Sequence, residues 1–253
     1  FDQCVPEEIN RKIIDHISDI NITYSTISKQ NLLNEGFAID RIINVGSPIK
    51  EVLSMMETKI SNSKILKNLQ IKNSDYFLVS LHRDENTNFI KLNYLMKEIK
   101  HLSLFYKKKI IFSLHPRTLN ILDTNIKKFK SFIFLKPFKF SDYIFLQKNS
   151  FCVISDSGSL TEEASLLNFP AISLRDSTER PEGMEEGVLI MSGFNRDKLV
   201  NGIKIATNDK NLRRKKLVKD YDVDDVSDKI SVIITSYIDY INNNVWKKNV
   251  KTF

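Results

Sequence analysis

Several short segments of the 253-residue chain place groups able to bind an anion or move a proton just after apolar runs. The sharpest is Ile154-Ser155-Asp156-Ser157-Gly158-Ser159-Leu160-Thr161-Glu162-Glu163. An apolar run passes into a Ser/Gly turn that opens a helix, and the N–H groups of such a first turn, with the helix dipole, form an anion site. The Ser157 and Ser159 hydroxyls can add donors. Alternatively Ser157 or Ser159 caps the helix, with Glu162 or Glu163 completing a capping box, and the two roles are compatible. Glu163, one to two turns in, is placed to accept hydrogen bonds from vicinal ribose hydroxyls. The pattern is neither a P-loop nor G-x-G-x-x-G. Two of the four histidines, His82 and His115, follow the apolar runs ending at Leu81 and Leu114, each close to an arginine. Taken singly, such a histidine suits a structural hydrogen bond. Paired at equivalent strand ends, they suit phosphate binding or proton movement near neutral pH. The run Arg175–Gly187 carries seven charges in thirteen residues. It reads as a solvated loop in which Arg175 or Arg180 can serve as a phosphate ligand. Glu7 and Arg11, four apart on one helical face, form a surface ion pair or one half of an acid/base device.

The elements that must position these groups alternate. Pro6-Glu7-Glu8 opens a helix with apolar Ile9, Ile13, Ile14 and Ile17 on one face. A short strand is predicted at Ile20–Tyr24, a helix from Ser25 to Glu35 stopped by Gly36, and a strand at Ile42–Gly46. From Pro48 a long helix is predicted, with a break near Asn73. Strands follow at 76–80, 109–114, 132–135, 151–154 and 171–174, separated by helices near 87–104, 124–130, 140–147 and 160–167. A last helix spans 227–244. Strands of this length alternating with helices specify an α/β fold with a doubly wound parallel sheet. Ligands of such sheets bind outside the carboxyl ends of the strands, where the polar segments above fall.

Composition narrows the function. Hydrophobic residues make up 42% and charged residues 27%, as in a globular protein with a buried core. The net charge of +7 is spread thinly and accompanies no RNP motif or zinc spacing, so a nucleic-acid partner is not expected. Cys4 and Cys152 are too few for a disulfide framework or metal cluster and fit a cytoplasmic setting. No apolar run approaches the roughly 18–20 residues that span a bilayer, so no membrane role is expected. The chain starts Phe1-Asp2-Gln3 without Met, so a fragment or processed chain is expected. Residues 1–47 read as the tail of an α/β unit, 48–225 as a second such domain, and 226–253 as a helix and tail able to pack back on the first.

In their order, Pro6-Glu7-Glu8-Ile9-Asn10-Arg11, His82-Arg83 with Glu85-Asn86, His115-Pro116, Asp156-Ser157-Gly158 with Glu162-Glu163, and Thr178-Glu179-Arg180-Pro181-Glu182 resemble the non-hydrolysing UDP-N-acetylglucosamine 2-epimerase family. The resemblance covers residues 6–187. It implies a GT-B-like architecture of two Rossmann-like domains, the first only partly present, its missing region about 100–150 residues long if of ordinary domain size. It implies anti-elimination of UDP from a UDP-2-acetamido sugar through a 2-acetamidoglycal and re-addition with C2 inverted, without nicotinamide or metal, by a homodimer serving bacterial surface glycan synthesis. Glu7, Arg11 and His82 would be catalytic. Ser157 and Gly158 would hold phosphate and Glu163 the ribose. Arg180 would line the site, with His115 a neighbour. The segments Asp15–Asn21, His115–Thr118 and Glu179–Met184 look like the branch forming UDP-N-acetyl-L-fucosamine from its L-talo epimer. Cys4 stands where that branch has Arg, and Ser159 replaces a second Gly. A GT-B glycosyltransferase would share the nucleotide site but need an acceptor cleft, and a non-catalytic nucleotide-sugar binding module is the other alternative.

Overall fold

The computed structural model describes residues 6–81, 89–114, 132–178 and 180–248. The predicted helix near 124–130 lies outside them, as do His82 and His115. The chain forms two compact units, one of residues 1–51 with 219–253 and the other of residues 52–218.

The first unit begins with α1 (Pro6–Ile17), β1 (Asn21–Thr23), α2 (Thr26–Asn34) and β2 (Ile42–Asn44). Strands β1 and β2 pair in parallel, with Ile22 opposite Ile43. Ser25 starts α2 because its side chain accepts from the Ser28 N–H. Gly36 ends it: at φ +93° it lets its own N–H reach Leu33 O, and the Phe37 N–H reach Leu32 O. The long helix predicted from Pro48 is two helices, α3 (Ile49–Ser61) and α4 (Ile65–Leu69). Ser63 separates them, donating to Asp142 at 2.5 Å and accepting from the Ile65 N–H at 3.3 Å. Gln70, left-handed at φ 52°, closes α4.

The second unit then builds β3 (Tyr76–Leu81), α5 (Phe89–Tyr106), β4 (Lys109–Leu114), β5 (Phe132–Leu135), α6 (Phe140–Lys148), β6 (Cys152–Ser155), α7 (Leu160–Leu167), β7 (Ala171–Ser173), α8 (Pro181–Glu185), β8 (Ile190–Met191), α9 (Arg196–Ala206) and α10 (Asp209–Arg213). Its sheet is parallel, in the order β5-β4-β3-β6-β7-β8. Counted from β3, this is the doubly wound order 3-2-1-4-5-6, whose direction reverses between the first and fourth strands. The carboxyl ends of β3 and β6 therefore define the switch point where ligands of such sheets bind.

Side chains alternate across this sheet with period two. Phe77, Val79, Phe112, Ile154 and Ile172 form one apolar layer with Leu92, Leu95, Met96 and Ile99 of α5 and Leu199 and Ile203 of α9. The opposite face carries a row of serines in register: Ser113 beside Ser80, Ser80 beside Ser155, and Ser155 beside Ser173. On that face the Tyr76 hydroxyl donates to Leu146 O of α6 at 2.6 Å.

The chain ends with α11 (Val226–Tyr240) and a π-helical turn, Ile241–Val245, where a single helix to Asn244 is predicted. Both belong to the first unit. There Trp246 Nε1 donates to Asp19 Oδ2 at 3.0 Å, and the Ser227 hydroxyl donates to Glu51 Oε1 at 3.1 Å. No helix among the described residues is long and apolar enough to cross a membrane.

Candidate functional site

The segment after β6 forms the turn that its sequence specifies, but the helix is capped differently from the expected box. Ser159, the residue before α7, is itself in the helical region at φ −65°, ψ −16°, and makes no side-chain cap. A helical backbone turns the hydroxyl away from the amides one turn on. Ser159 Oγ lies instead 3.0 Å from Ser157 Oγ, and the Ser157 N–H donates to Ser155 Oγ at 3.1 Å. Of the two expected box partners, Glu162 faces Arg180 and Glu163 accepts from Gln147 Nε2. No Ser159 side chain therefore caps the first turn of α7, where the Thr161 N–H reaches Gly158 O at 3.4 Å, and the helix start still favours an anion.

Two arginines flank Gly158. Arg175 is buried, its Nε donating to Asp156 O at 2.9 Å. Arg180 is held by Glu162, with Nε 3.2 Å and Nη2 3.0 Å from Oε2. A Cβ on residue 158 would stand 2.6 Å from Arg180 Nη1 and 3.6 Å from Arg175 Nη2. A side chain there would push the Arg180 guanidinium aside. The hollow between these groups is lined by Ser157, Gly158, Thr161, Ser173, Arg175, Thr178, Arg180, Leu189 and Met191. Two guanidinium groups beside four hydroxyl side chains and a helix start favour a phosphate-bearing ligand.

The run read as a solvated loop is partly helical. Pro181 starts α8, Glu182 and Gly183 are buried, and a Cβ on Gly183 would collide with Thr161 Cγ2. The short helix therefore packs on the first turn of α7 and fixes Arg180 at its own start.

Glu163 is buried in the layer beneath. Gln147 Nε2 donates to Glu163 Oε2 at 2.5 Å, and the Ser159 hydroxyl also bonds its carboxyl. Burial pushes the Glu163 carboxyl up, against the lowering effect of those two hydrogen bonds. Burial also pushes the Tyr143 hydroxyl of α6 up, against the lowering effect of the neighbouring Ser80, Ser155 and Gln147.

The structure thus brings Ser157, Gly158, Glu163 and Arg180 together. It adds Thr161, Ser173, Arg175, Thr178, Leu189, Met191, Tyr143 and Gln147, which were missed or left as alternatives in the sequence. Ser173 ends the observed β7 and lies one residue inside the end of the predicted strand, so the strand-end rule reaches it. Met191 sits on β8, whose two residues give no periodicity to read. Arg11, in the first unit, is bonded to Glu8 Oε1 at 2.9 Å, to Glu35 Oε1 at 2.9 Å and to Asp15, and these carboxylates raise its already high pKa. Glu7 lies on α1. His82 directly follows β3 and His115 follows β4 in the chain.

Fold and site together define a doubly wound α/β protein with a pocket lined by two arginines beside the switch point of its sheet. The chain belongs to the UDP-N-acetylglucosamine 2-epimerase family, whose family model matches residues 1–235. It is 38% identical over 221 residues to the UDP-N-acetylglucosamine 2-epimerase of Methanocaldococcus jannaschii, covering 83% of this chain and 60% of that protein. It superposes on the UDP-N-acetylglucosamine 2-epimerase of Rickettsia bellii with a TM-score of 0.88 and 45% identity, covering 97% of this chain and 67% of that one. On the Methanocaldococcus jannaschii enzyme in complex with UDP-GlcNAc and UDP, the TM-score is 0.83 at 34% identity, over 93% and 66% of the two chains. The α/β, GT-B-like class expected from the sequence is that of these neighbours. The chain spans about 60% of the length of the curated relatives it matches.

Proposed function

We propose that the second unit binds the UDP moiety of a UDP-linked 2-acetamido sugar, and that the whole protein inverts C2 of that sugar. The observation that carries this reading is Gly158 flanked by Arg180 and Arg175 at the end of β6. The diphosphate would lie on Ser157, Gly158 and the two arginines, and the ribose hydroxyls would be received by Glu163. In the reaction, a base removes the C2 proton, the C1–O bond to UDP breaks, and C1=C2 forms in a 2-acetamidoglycal. UDP oxygen then re-forms the bond at C1 while a proton is delivered to the opposite face of C2. Glu7, Arg11 and His82 are the groups proposed for this acid/base work, with His115 proposed to bind substrate. The arginines stabilise the departing diphosphate, whose charge grows as the bond breaks.

The matched relative solved with UDP-GlcNAc and UDP supports the nucleotide-sugar class. Within it, UDP-GlcNAc/UDP-ManNAc and the L-talo/L-fuco pair of 2-acetamido-2,6-dideoxy sugars are the candidate substrates. The segments 15–21 and 179–184 support the second. A further relative, 28% identical, is named for a UDP-2,3-diacetamido-2,3-dideoxy-D-glucuronate substrate. We further propose that residues 1–47 belong to the first of two Rossmann-like domains and 48–225 to the second, with 226–253 returning to the first. The proposed assembly is a cytoplasmic homodimer feeding surface polysaccharide synthesis.

Calorimetric titration of the 253-residue chain with UDP tests the core of the proposal. Arg180→Ala is expected to weaken binding by roughly 10- to 100-fold, as loss of a charge-assisted phosphate contact does. Arg196→Ala, which removes the exposed partner of Glu98, is expected to leave it unchanged. A folded chain that takes up no UDP would sink the placement of the nucleotide. Proton exchange at C2 of a UDP-2-acetamido sugar in deuterated water, without acceptor, separates epimerase from glycosyltransferase.

A further inference from the structure

Beneath the hollow a buried amide that touches no part of the proposed ligand meets the Glu163 carboxyl. Gln147 is fully buried, on the face of α6 that covers the serine row of the sheet. Its Nε2 donates to Glu163 Oε2 at 2.5 Å, while its Oε1 is a buried oxygen without a hydrogen-bond partner among the described residues. The Ser159 hydroxyl bonds the same Glu163 carboxyl, and Ser159 Oγ is 3.0 Å from Ser157 Oγ, which lines the hollow. An apolar side chain in place of Gln147 would fill the layer without stranding an amide oxygen. The amide therefore has an electrostatic role that packing does not supply.

We propose that Gln147 is a positioning residue, which pins one oxygen of the Glu163 carboxyl and so orients, through Ser159, the Ser157 hydroxyl presented to the ligand. The inference rests on reading the hollow as the UDP site. Tyr143 lies on the same helix, and Ser80, Ser155 and Gln147 lower the pKa of its hydroxyl against the upward push of burial. The charged groups acting on Glu163 are Glu162, which opposes its ionisation, and Arg180, which favours it. Loss of the Gln147 donor would leave a buried carboxylate with one fewer hydrogen bond, and its protonated form would be favoured further.

Gln147→Met keeps the length and removes the donor. Carbon-13 titration of the Glu163 carboxyl, assigned by its disappearance in Glu163→Gln, is expected to show a midpoint about one unit higher in Gln147→Met than in the parent. UDP affinity is expected to fall about tenfold in Gln147→Met, and Gln147→Met added to Glu163→Gln is expected to lower affinity no further. A carboxyl midpoint unchanged by Gln147→Met would overturn the inference, whatever happens to affinity. Failure of the parent chain to bind UDP would instead refute the nucleotide reading, while the titration would still decide whether Gln147 governs Glu163.

Discussion

The two units are stabilised by different means. In the second, Phe77, Val79, Phe112, Ile154 and Ile172 are fully buried between a sheet and its helices. In the first, the sheet has two short strands, and apolar side chains stand at the surface: Ile13 is 55% exposed, Ile17 75% and Val232 65%. That unit is tied instead by polar bonds converging on Asp220. Its carboxylate accepts from the Thr26 N–H at 2.7 Å and from Asn44 Nδ2 at 3.2 Å, and its carbonyl accepts from the Ser47 N–H at 2.9 Å. Apolar burial scales with area removed from water, whereas such polar ties depend on backbone geometry. The units should therefore respond to different kinds of damage.

Cavity formation gives the largest contrast. Phe112→Ala in the second unit is expected to cost about 3–5 kcal/mol, because a close-packed layer cannot collapse around a missing ring. Ile13→Ala in the first is expected to stay within about 0.5 kcal/mol, since little surface is taken from water there. Urea unfolding of both variants measures this, and equal losses would break the comparison. The first unit should be more sensitive to backbone change. Gly46 sits at φ +89°, and a Cβ there would lie 2.6 Å from Val223 Cγ2 and 3.0 Å from Asp220 O. Gly46→Ala is expected to cost about 1–3 kcal/mol, through strain and displacement of the Asp220 tie.

A glycine in the second unit should behave otherwise. At Gly158 the obstructing atom is the end of a flexible arginine side chain, and φ is not positive. Gly158→Ala is expected to change stability by less than about 1 kcal/mol, yet to weaken UDP binding about tenfold by moving Arg180 out of place. Denaturation and calorimetry on the same variant read the two effects separately. A large loss of stability with unchanged affinity would show that Gly158 serves the turn and not the ligand.

The sequence was informative where periodicity and strand ends carry the signal. The alternation of strands with helices specified the parallel sheet, and the polar residues after Ile154 led to Ser157, Gly158 and Glu163. Arg180 was legible through the run of charges around it and through the resemblance carried by 178–182, and that same run concealed α8. Glu182 is buried, although charge in a loop normally means solvent. Gln147 gave no signal, because a polar residue in a helix reads as an outward face until the helix is placed on its sheet. The Ser159 cap failed for a local reason: its backbone is already helical, which the residue types do not reveal.

The smallest effects concern acid, and the two units should respond with opposite sign. Burial raises the Glu163 carboxyl above its ordinary value of 4.5, so the folded state holds that proton more tightly than the unfolded state. Its favourable contribution is complete below the unfolded value and is lost as pH rises through the folded one. Glu163→Gln, neutral throughout, should therefore gain stability relative to the parent at about pH 8 and lose that advantage toward about pH 4. Glu8 in the first unit is lowered by its bond to Arg11, so its contribution is present above 4.5 and lost as pH falls through its folded value. Glu8→Gln should be the weaker variant near neutrality and approach the parent in acid. Urea midpoints for both variants across this range test the signs. If Glu163→Gln proved destabilising at about pH 8 by more than at about pH 4, the buried carboxylate would be worth more ionised than its burial costs. The hydrogen bonds from Gln147 and Ser159 would then outweigh desolvation, and the site would be organised around a charged Glu163 throughout that range.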